Sequence, residues 1–112
     1  MNALVSLHNL SDETIDEVLV KNIENKYCFS YLDNNDVQCE ICVYDDGLCL
    51  FRQTNDYLME LHLKSSNYAK ITSSEGIIKI DVIVLDFSIK GDILKMHYLV
   101  NDEERMLQIK YY

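Results

Sequence analysis

Apolar and polar residues alternate along much of the chain, and the alternation has the period of two that is typical of β-strands. In residues 57–63 the odd-numbered positions are apolar, whereas Glu60 and His62 fall on the opposite face. Residues 94–100 and 107–111 repeat this pattern. Such a period indicates strands with one buried face and one face in water.

Short turn signals separate these alternating segments. The three glycines lie in DDGL, SEGI and KGDI, each between apolar runs, where glycine supplies the positive φ of a tight hairpin. Clusters of Asn, Asp and Ser at 33–36, 54–56, 65–67 and 101–104 predict further turns. Turn signals at intervals of roughly 8–12 residues are typical of an all-β sandwich or barrel.

The long apolar run 77–89 changes phase along its length. Its apolar positions are first Ile78, Ile80 and Val82, and then Leu85, Phe87 and Ile89. Because alternate residues of a strand point to opposite faces, a change of phase predicts a β-bulge or a sharp bend.

Residues 14–23, TIDEVLVKNI, fit two structures. Thr14 and Glu17 form a capping-box pattern that predicts a helix. As a strand, the segment would instead place Val18 and Val20 inward. The pattern alone leaves both alternatives open.

Composition and charge narrow the class of protein. The chain has 112 residues, which predicts a single domain over 1–112, and its net charge is −9. The acidic excess argues against nucleic-acid partners and against anionic membrane surfaces. No apolar stretch approaches the ~20 residues that span a bilayer, and the N-terminus lacks a basic segment before an apolar one. We therefore expect a cytoplasmic protein whose cysteines are mostly reduced.

Several segments resemble the YwiB-like family of small bacterial proteins: KYCFSYLDN, FRQT, SSEGIIKIDV and GDILKMHYLV…MLQIKYY. Tyr27, Ser30 and Tyr31 fit an aromatic Y-x-x-S-Y strand followed by acidic residues. Arg52 fits an arginine that ends a strand, and Gly76 fits the approach to a long strand. The chain departs from the family pattern at Ile71 and Ser73, where Tyr and Thr are usual.

The resemblance implies a calycin-like antiparallel β-barrel and no assigned activity, and it favours a strand over 14–23. Together with the alternation, it predicts an all-β protein built as a single antiparallel calycin- or lipocalin-like β-barrel of about eight to ten strands.

Three of the four cysteines lie in CEICVYDDGLC, residues 39–49. Cys39 and Cys42 have the spacing of a zinc knuckle, but the chain has no second knuckle to complete a site. Strand alternation places Cys39 on the apolar face and Cys42 on the opposite face, so the two cannot bind one metal ion. A turn centred on Asp46-Gly47 makes Cys42 face Phe51 and lie diagonal to Cys49. We expect no metal site here.

The other candidate residues give no catalytic arrangement. His8, His62 and His97 are scattered on expected outer faces, and no cysteine or serine is placed beside a histidine as nucleophile and base. The acidic pairs at 45–46 and 103–104 fall in expected turns. We therefore expect no enzyme activity, no catalytic residues and no cofactor.

The two arginines of the chain are better candidates for binding. Arg52 shares the phase of Leu48 and Leu50, and Arg105 shares the phase of the apolar residues of 107–111, so both are expected at the rim of the barrel. Arginine binds carboxylates and phosphates through two parallel hydrogen bonds. Tyr27 and Tyr31, on the apolar face by alternation, would add hydroxyl groups. Alternatively, each arginine pairs with an acidic turn residue and closes the barrel end.

Two functions follow as hypotheses. The first is a non-enzymatic barrel that binds a small anionic or amphipathic molecule in its lumen, at Arg52, Arg105, Tyr27 and Tyr31. The second is a protein–protein interaction or assembly module with a barrel filled by side chains, which would use strands such as 77–89 and Tyr111-Tyr112. The expected partners are thus a small-molecule ligand or a protein, a homodimer included, with no nucleic acid and no membrane.

Overall fold

The computed structural model describes residues 1–64 and 67–112, and over these residues it contains eleven β-strands and no helix. One group of strands forms a five-stranded sheet: β1 (Ala3–Asn9), β2 (Thr14–Val20), β9 (Val82–Lys90), β10 (Ile93–Val100) and β11 (Glu103–Tyr111). The others form a six-stranded sheet: β3 (Cys28–Leu32), β4 (Gln38–Tyr44), β5 (Gly47–Gln53), β6 (Tyr57–Leu63), β7 (Asn67–Ser73) and β8 (Gly76–Ile80). The predicted all-β class is confirmed.

Both sheets are antiparallel meanders that remain open. The strand order is β2-β1-β11-β10-β9 in the first sheet and β3-β4-β5-β6-β7-β8 in the second. The chain leaves the first sheet after β2 and returns to it between β8 and β9, through Asp81. The closed calycin-like barrel is not confirmed, because within the described residues the strands divide into two sheets that face each other.

The space between the sheets is filled by side chains. Among the described residues, the largest fully buried side chains are Val5, Leu94, Met96, Leu107 and Ile109 from the five-stranded sheet, and Ile41, Leu48 and Leu63 from the six-stranded sheet. They belong to one continuous core that also includes Phe29. The centre of the sandwich is therefore packed.

The ambiguous segment 14–23 forms a strand, as the family resemblance favoured. Its residues Thr14–Val20 make up β2, which pairs along its whole length with β1. Val20 is buried and Val18 packs against the core, as expected of a strand. The tertiary pairing with β1 thus decides between two structures that the local pattern left open.

The phase change predicted within 77–89 is confirmed. The run divides at Asp81 into β8 and β9, which belong to different sheets. A second irregularity lies opposite β10, where His97 pairs with Asp86 but the next residue, Tyr98, pairs with Val84. Leu85 is the extra residue of this bulge. The inward-facing apolar residues of β9 are therefore even-numbered before the bulge, at Val82 and Val84, and odd-numbered after it, at Phe87.

Most turns lie where their polar residues predict them. Gly47, Gly76 and Gly91 all have positive φ, as expected of hairpin glycines. Residues 33–36 and 54–56 connect consecutive strands of the six-stranded sheet. The turn predicted at 65–67 includes Ser65 and Ser66, which lie outside the described residues.

The acidic residues 103–104 are an exception, because the turn is made by Asn101 and Asp102, both with positive φ. Glu103 and Glu104 already belong to β11. Their prediction as turn residues is therefore wrong.

In the described part of the chain, no helix is long and apolar enough to cross a bilayer.

Candidate functional site

Arg52 and Arg105 lie at the same end of the sandwich, one from each sheet. Arg52 is near the end of β5, opposite Cys39 and Met59. Arg105 is near the start of β11, opposite Asn9 and Tyr98. Both point between the sheets, as their phase predicts, and both line a cavity of about 260 Å³.

A second cavity of about 130 Å³ adjoins the first, with Tyr31, Asp33 and Cys39 in its wall. The two cavities have four lining residues in common: Leu7, Asp16, Leu50 and Arg52. We call the joint space the rim cleft. Each of the two cavities is by itself smaller than the roughly 300–1,000 Å³ of sites for drug-sized ligands, so each suits a molecule of a few heavy atoms.

Each arginine forms one ion pair and keeps unused donors. Arg52 Nη2 donates to Asp33 Oδ2 at 2.9 Å, and Arg105 Nη2 donates to Glu103 Oε2 at 2.8 Å. These are the pairings with acidic residues that the second interpretation of the arginines expected. However, the Nε atoms of both arginines are buried and have no hydrogen-bond partner among the described residues. A buried donor without an acceptor is unfavourable by about 1–3 kcal/mol, so a hydrogen-bond acceptor at either atom would be stabilising.

Asp33 is held in place by the turn between β3 and β4. Its Oδ1 accepts hydrogen bonds from the backbone N–H groups of Asn35, at 2.8 Å, and Val37, at 3.0 Å. Partial burial acts to raise the pKa of the Asp33 carboxyl, but these two N–H groups and the charge of Arg52 together lower that pKa below its usual value. The carboxylate therefore stays ionised and fixes the Arg52 guanidinium at the cleft.

This arrangement predicts how stability depends on pH. An unfolded aspartate titrates near pH ~3.9, so the ionised Asp33 stabilises the fold above that pH. The contribution is lost as the pH falls through the lowered pKa of the folded state. Asp33→Asn is expected to be less stable than the wild type at pH 7 and to lose less stability on acidification. Urea unfolding at pH 7 and at pH 3 measures both differences.

Asp36→Asn is the matched control, because it makes the same change at an exposed position of the same turn. It is expected to leave the acid dependence of the wild type unchanged. Equal losses of stability on acidification for Asp33→Asn and the wild type would contradict the role assigned to Asp33.

The two tyrosines predicted for the site lie in different environments. Tyr31 is buried, lines the smaller cavity, and has a pKa raised mainly by burial. Tyr27 precedes β3, and 58% of its surface is exposed, so its placement inside the fold is wrong. Tyr98, which the sequence interpretation did not select, is only 2% exposed and lines the larger cavity opposite Arg105. Burial raises the pKa of Tyr98 to about 12. The sequence signal that could have identified Tyr98 as a cleft residue was its shared phase with Leu94 and Met96.

The C-x-x-C motif is divided between two faces, as strand alternation predicts. Cys39 is buried on the inner face, whereas Cys42 lies on the outer face, where its sulfur is joined to that of Cys28 in a disulfide. The expectation of mostly reduced cysteines is not met by this pair. Glu40 lies close to both sulfurs, but a disulfide offers a metal ion no thiolate.

The register of this hairpin differs from the prediction. The turn is made by Asp45 and Asp46, so Cys42 pairs directly with Cys49, and not with Phe51. Cys49 in turn pairs with His62, and its Sγ lies 3.3 Å from His62 Nδ1. The expectation that no cysteine lies beside a histidine is therefore wrong.

The remaining histidines make other contacts. His97 Nε2 lies 2.5 Å from Glu104 Oε1 across the hairpin between β10 and β11. His8 borders the larger cavity of the rim cleft, which its expected position on an outer face did not indicate.

The chain was compared with known proteins. No protein-family model matches it, and no curated protein matches it. Among solved structures, it is similar to the crystal structure of the ywiB protein from Bacillus subtilis. The two share 8% sequence identity over 96% of this chain and 85% of that chain, with a TM-score of 0.45. A likeness of this size adds nothing to the interpretation of the site.

Proposed function

We propose that the protein is a non-enzymatic binding module that holds a small anionic molecule, a carboxylate or a phosphate, in the rim cleft. The observation that carries the proposal is that Arg52 and Arg105 line one cavity and that the Nε–H donor of each is buried without an acceptor among the described residues. An anion between them would accept both hydrogen bonds, and charge-assisted bonds of this kind are among the strongest in proteins.

The walls of the cleft suit a ligand with a short apolar part. Leu7 and Leu50 line both cavities, and Met59 and Leu61 line the larger one. Asp16 borders the same space and disfavours a ligand with negative charge along its whole length. A small molecule with one anionic group and an apolar remainder therefore fits the cleft best.

The binding test uses the arginines as their own reporters. The chain contains two arginines, so a ¹H–¹⁵N spectrum of their Nε–H groups has two signals, which single substitutions assign. Titration with inorganic phosphate, acetate and butyrate is expected to shift both signals to saturation for at least one anion. Arg105→Gln is expected to weaken the binding of that anion by about tenfold to a hundredfold, since a hydrogen bond to a charged group contributes about 1.5–3 kcal/mol.

Lys95→Gln is the matched control, because it removes one positive charge from an exposed position of β10. It is expected to leave affinity within about twofold of the wild type, since Lys95 does not line the cleft and the charge of an exposed side chain is screened by salt. An equal loss of affinity in both variants would show attraction by overall charge and not a site. The absence of any shift with all three anions would reject the proposed cleft.

A second candidate, an interaction module that forms a homodimer, is supported by an apolar surface on two edge strands. β8 and β9 are the last strands of their sheets. Five of their large apolar side chains are 47–62% exposed: Ile77, Ile78, Ile83, Leu85 and Ile89. Edge strands with such residues can pair with another chain. Native mass spectrometry of freshly purified protein separates the candidates, because the first predicts a monomer that carries a small anion and the second a dimer without one.

We also propose that the chain is a member of the YwiB-like family, which the motifs at Tyr31, Arg52 and Gly76 support. We further propose a calycin-like origin for the sandwich. The disulfide between Cys28 and Cys42 is unusual for the cytoplasmic location that the sequence predicts. The direct passage from β8 to β9 through Asp81, which joins the two sheets along one side, supports the calycin-like origin.

A further inference from the structure

Three cysteines and a histidine form a row across the outer face of the six-stranded sheet. Cys28 of β3 pairs with Cys42 of β4, Cys42 with Cys49 of β5, and Cys49 with His62 of β6. Residues paired across antiparallel strands point to the same face of the sheet, so the four side chains are successive neighbours. This cysteine row lies on the face opposite the rim cleft, and its function is independent of anion binding.

The sulfurs of the row are in two different states. Cys28 and Cys42 are joined in a disulfide, whereas Cys49 is a free thiol. Cys28 is exposed, and Cys49 is 3% exposed. The row thus places a buried thiol beside a disulfide whose far sulfur is open to solvent.

His62 is placed to accept the proton of the Cys49 thiol. Its Nδ1 lies 3.3 Å from Cys49 Sγ, and its Nε2 lies 3.5 Å from Glu60 Oε1. Glu60 Oε2 in turn lies 3.5 Å from Lys70 Nζ. A carboxylate on the far nitrogen orients an imidazole and stabilises its protonated form.

Aromatic rings hold the imidazole in this position. The Tyr68 ring stacks on His62 with centroids 4.3 Å apart, and the Phe51 ring meets it edge-on at 5.7 Å. Burial raises the pKa of the Cys49 thiol, so this thiol needs a neighbouring base to form the thiolate.

We propose that Cys28, Cys42 and Cys49 form a thiol–disulfide exchange site with His62 as its base. The Cys49 proton moves to His62 Nδ1, and the Cys49 thiolate attacks Cys42 Sγ. The bond between Cys42 and Cys49 forms as the bond between Cys28 and Cys42 breaks, and Cys28 leaves as a thiolate. The number of disulfides is unchanged, so the step needs no oxidant.

The order of the strands sets the direction of attack. Cys42 lies between Cys49 and Cys28 because β4 lies between β5 and β3. The attacking, central and leaving cysteines therefore follow one another across the sheet in the order that the displacement needs. The attack occurs at Cys42, since Cys28 is two strands, roughly 9–10 Å, away from β5.

The released Cys28 thiolate is the group that meets an external partner. It is exposed and can attack a small disulfide RSSR, which forms a mixed disulfide Cys28–SR and releases RS⁻. The substrate class is thus a low-molecular-weight disulfide, and the exchange moves reactivity from a buried thiol to the surface.

Thiol trapping tests the proposal on the full chain. The protein, purified without reductant, is incubated with iodoacetamide at neutral pH, and its linkages are mapped by mass spectrometry. Cleavage at aspartate and glutamate places the four cysteines in separate peptides, because acidic residues lie between each pair. Alkylated Cys28 is expected to accumulate together with a disulfide between Cys42 and Cys49.

Two substitutions locate the mechanism. Cys49→Ser is expected to abolish alkylation of Cys28, and His62→Gln is expected to slow it by at least about tenfold, as for loss of a general base. His97→Gln, which makes the same change as His62→Gln in the other sheet, is the matched control and is expected to leave the rate unchanged. Circular dichroism confirms that each variant is folded.

Hydroxyethyl disulfide replaces iodoacetamide in the second arm. The mixed disulfide is expected on Cys28 in the wild type and not in Cys49→Ser. Alkylation of Cys28 at the same rate in the wild type and Cys49→Ser overturns the proposal. A wild type in which Cys28 is never modified, or in which no linkage between Cys28 and Cys42 exists before trapping, also overturns it.

Discussion

Gly47→Ala is expected to lower the free energy of unfolding by roughly 3–5 kcal/mol, because the added methyl group has no space and the backbone is strained. Gly47 begins β5 with φ at +150°. A Cβ at this position would lie 1.8 Å from the carbonyl oxygen of Leu63 and 2.9 Å from its carbonyl carbon. These are backbone atoms of the paired strand β6, so no side-chain rotation can relieve the overlap, and the two strands would have to separate.

Gly91→Ala is the matched control. Gly91 also has positive φ, at +60°, but a Cβ there would have no atom within 4 Å. We expect a loss of about 1–2 kcal/mol from backbone strain alone. Urea unfolding followed by circular dichroism measures both variants, and their difference isolates the steric effect. Equal unfolding midpoints for the two variants would show that β5 and β6 do not approach as closely at Gly47 as the structure shows.

Leu107→Ala is expected to lower the free energy of unfolding by about 2–5 kcal/mol, the range for large-to-small changes in a packed core. Leu107 is fully buried. It lies in β11, the middle strand of its sheet, between Leu7 of β1 and Met96 of β10. Neighbours that are paired on both sides can move little to fill the space that the side chain leaves.

Leu19→Ala makes the same chemical change in the same sheet at a position that is 50% exposed, on the edge strand β2. Surface changes of this kind are usually within about 0.5 kcal/mol. Urea unfolding compares the two variants. Similar losses in both would contradict the packing of the five-stranded sheet against the six-stranded one.

The rim cleft and the cysteine row use opposite faces of the same three strands. β3, β4 and β5 place Tyr31, Cys39 and Arg52 inward, as one paired series. The same strands place the three cysteines of the cysteine row outward. A strand shows alternate residues on alternate faces, so one short segment of sequence can supply two chemically separate sites.

Strand alternation was sufficient to predict much of the cleft. The phase of Arg52 with Leu50, and of Arg105 with Leu107, predicts that both arginines point inward near a strand end. The structure confirms both positions. Tyr27 was misplaced because it precedes β3, where the alternation no longer applies.

Strand alternation could not predict which residues pair across neighbouring strands. Moving the centre of the hairpin turn by one residue changes the partner of Cys42 from Phe51 to Cys49. The shift moves each pairing by two residues, and two residues is the period of a strand. Every side chain keeps its face, so the apolar pattern is identical in both registers. The apolar pattern therefore could not predict the cysteine row.

The sequence by itself determined the all-β class, the faces of most strands and the change of phase between 77 and 89, because these depend on local periodicity. Only the tertiary structure decided the strand over residues 14–20, the two open sheets and the partners of Cys42 and Cys49. These features depend on which distant segments meet. The position of a strand in its sheet and its cross-strand partners are non-local properties, because the sequence of one segment does not specify which strand lies beside it.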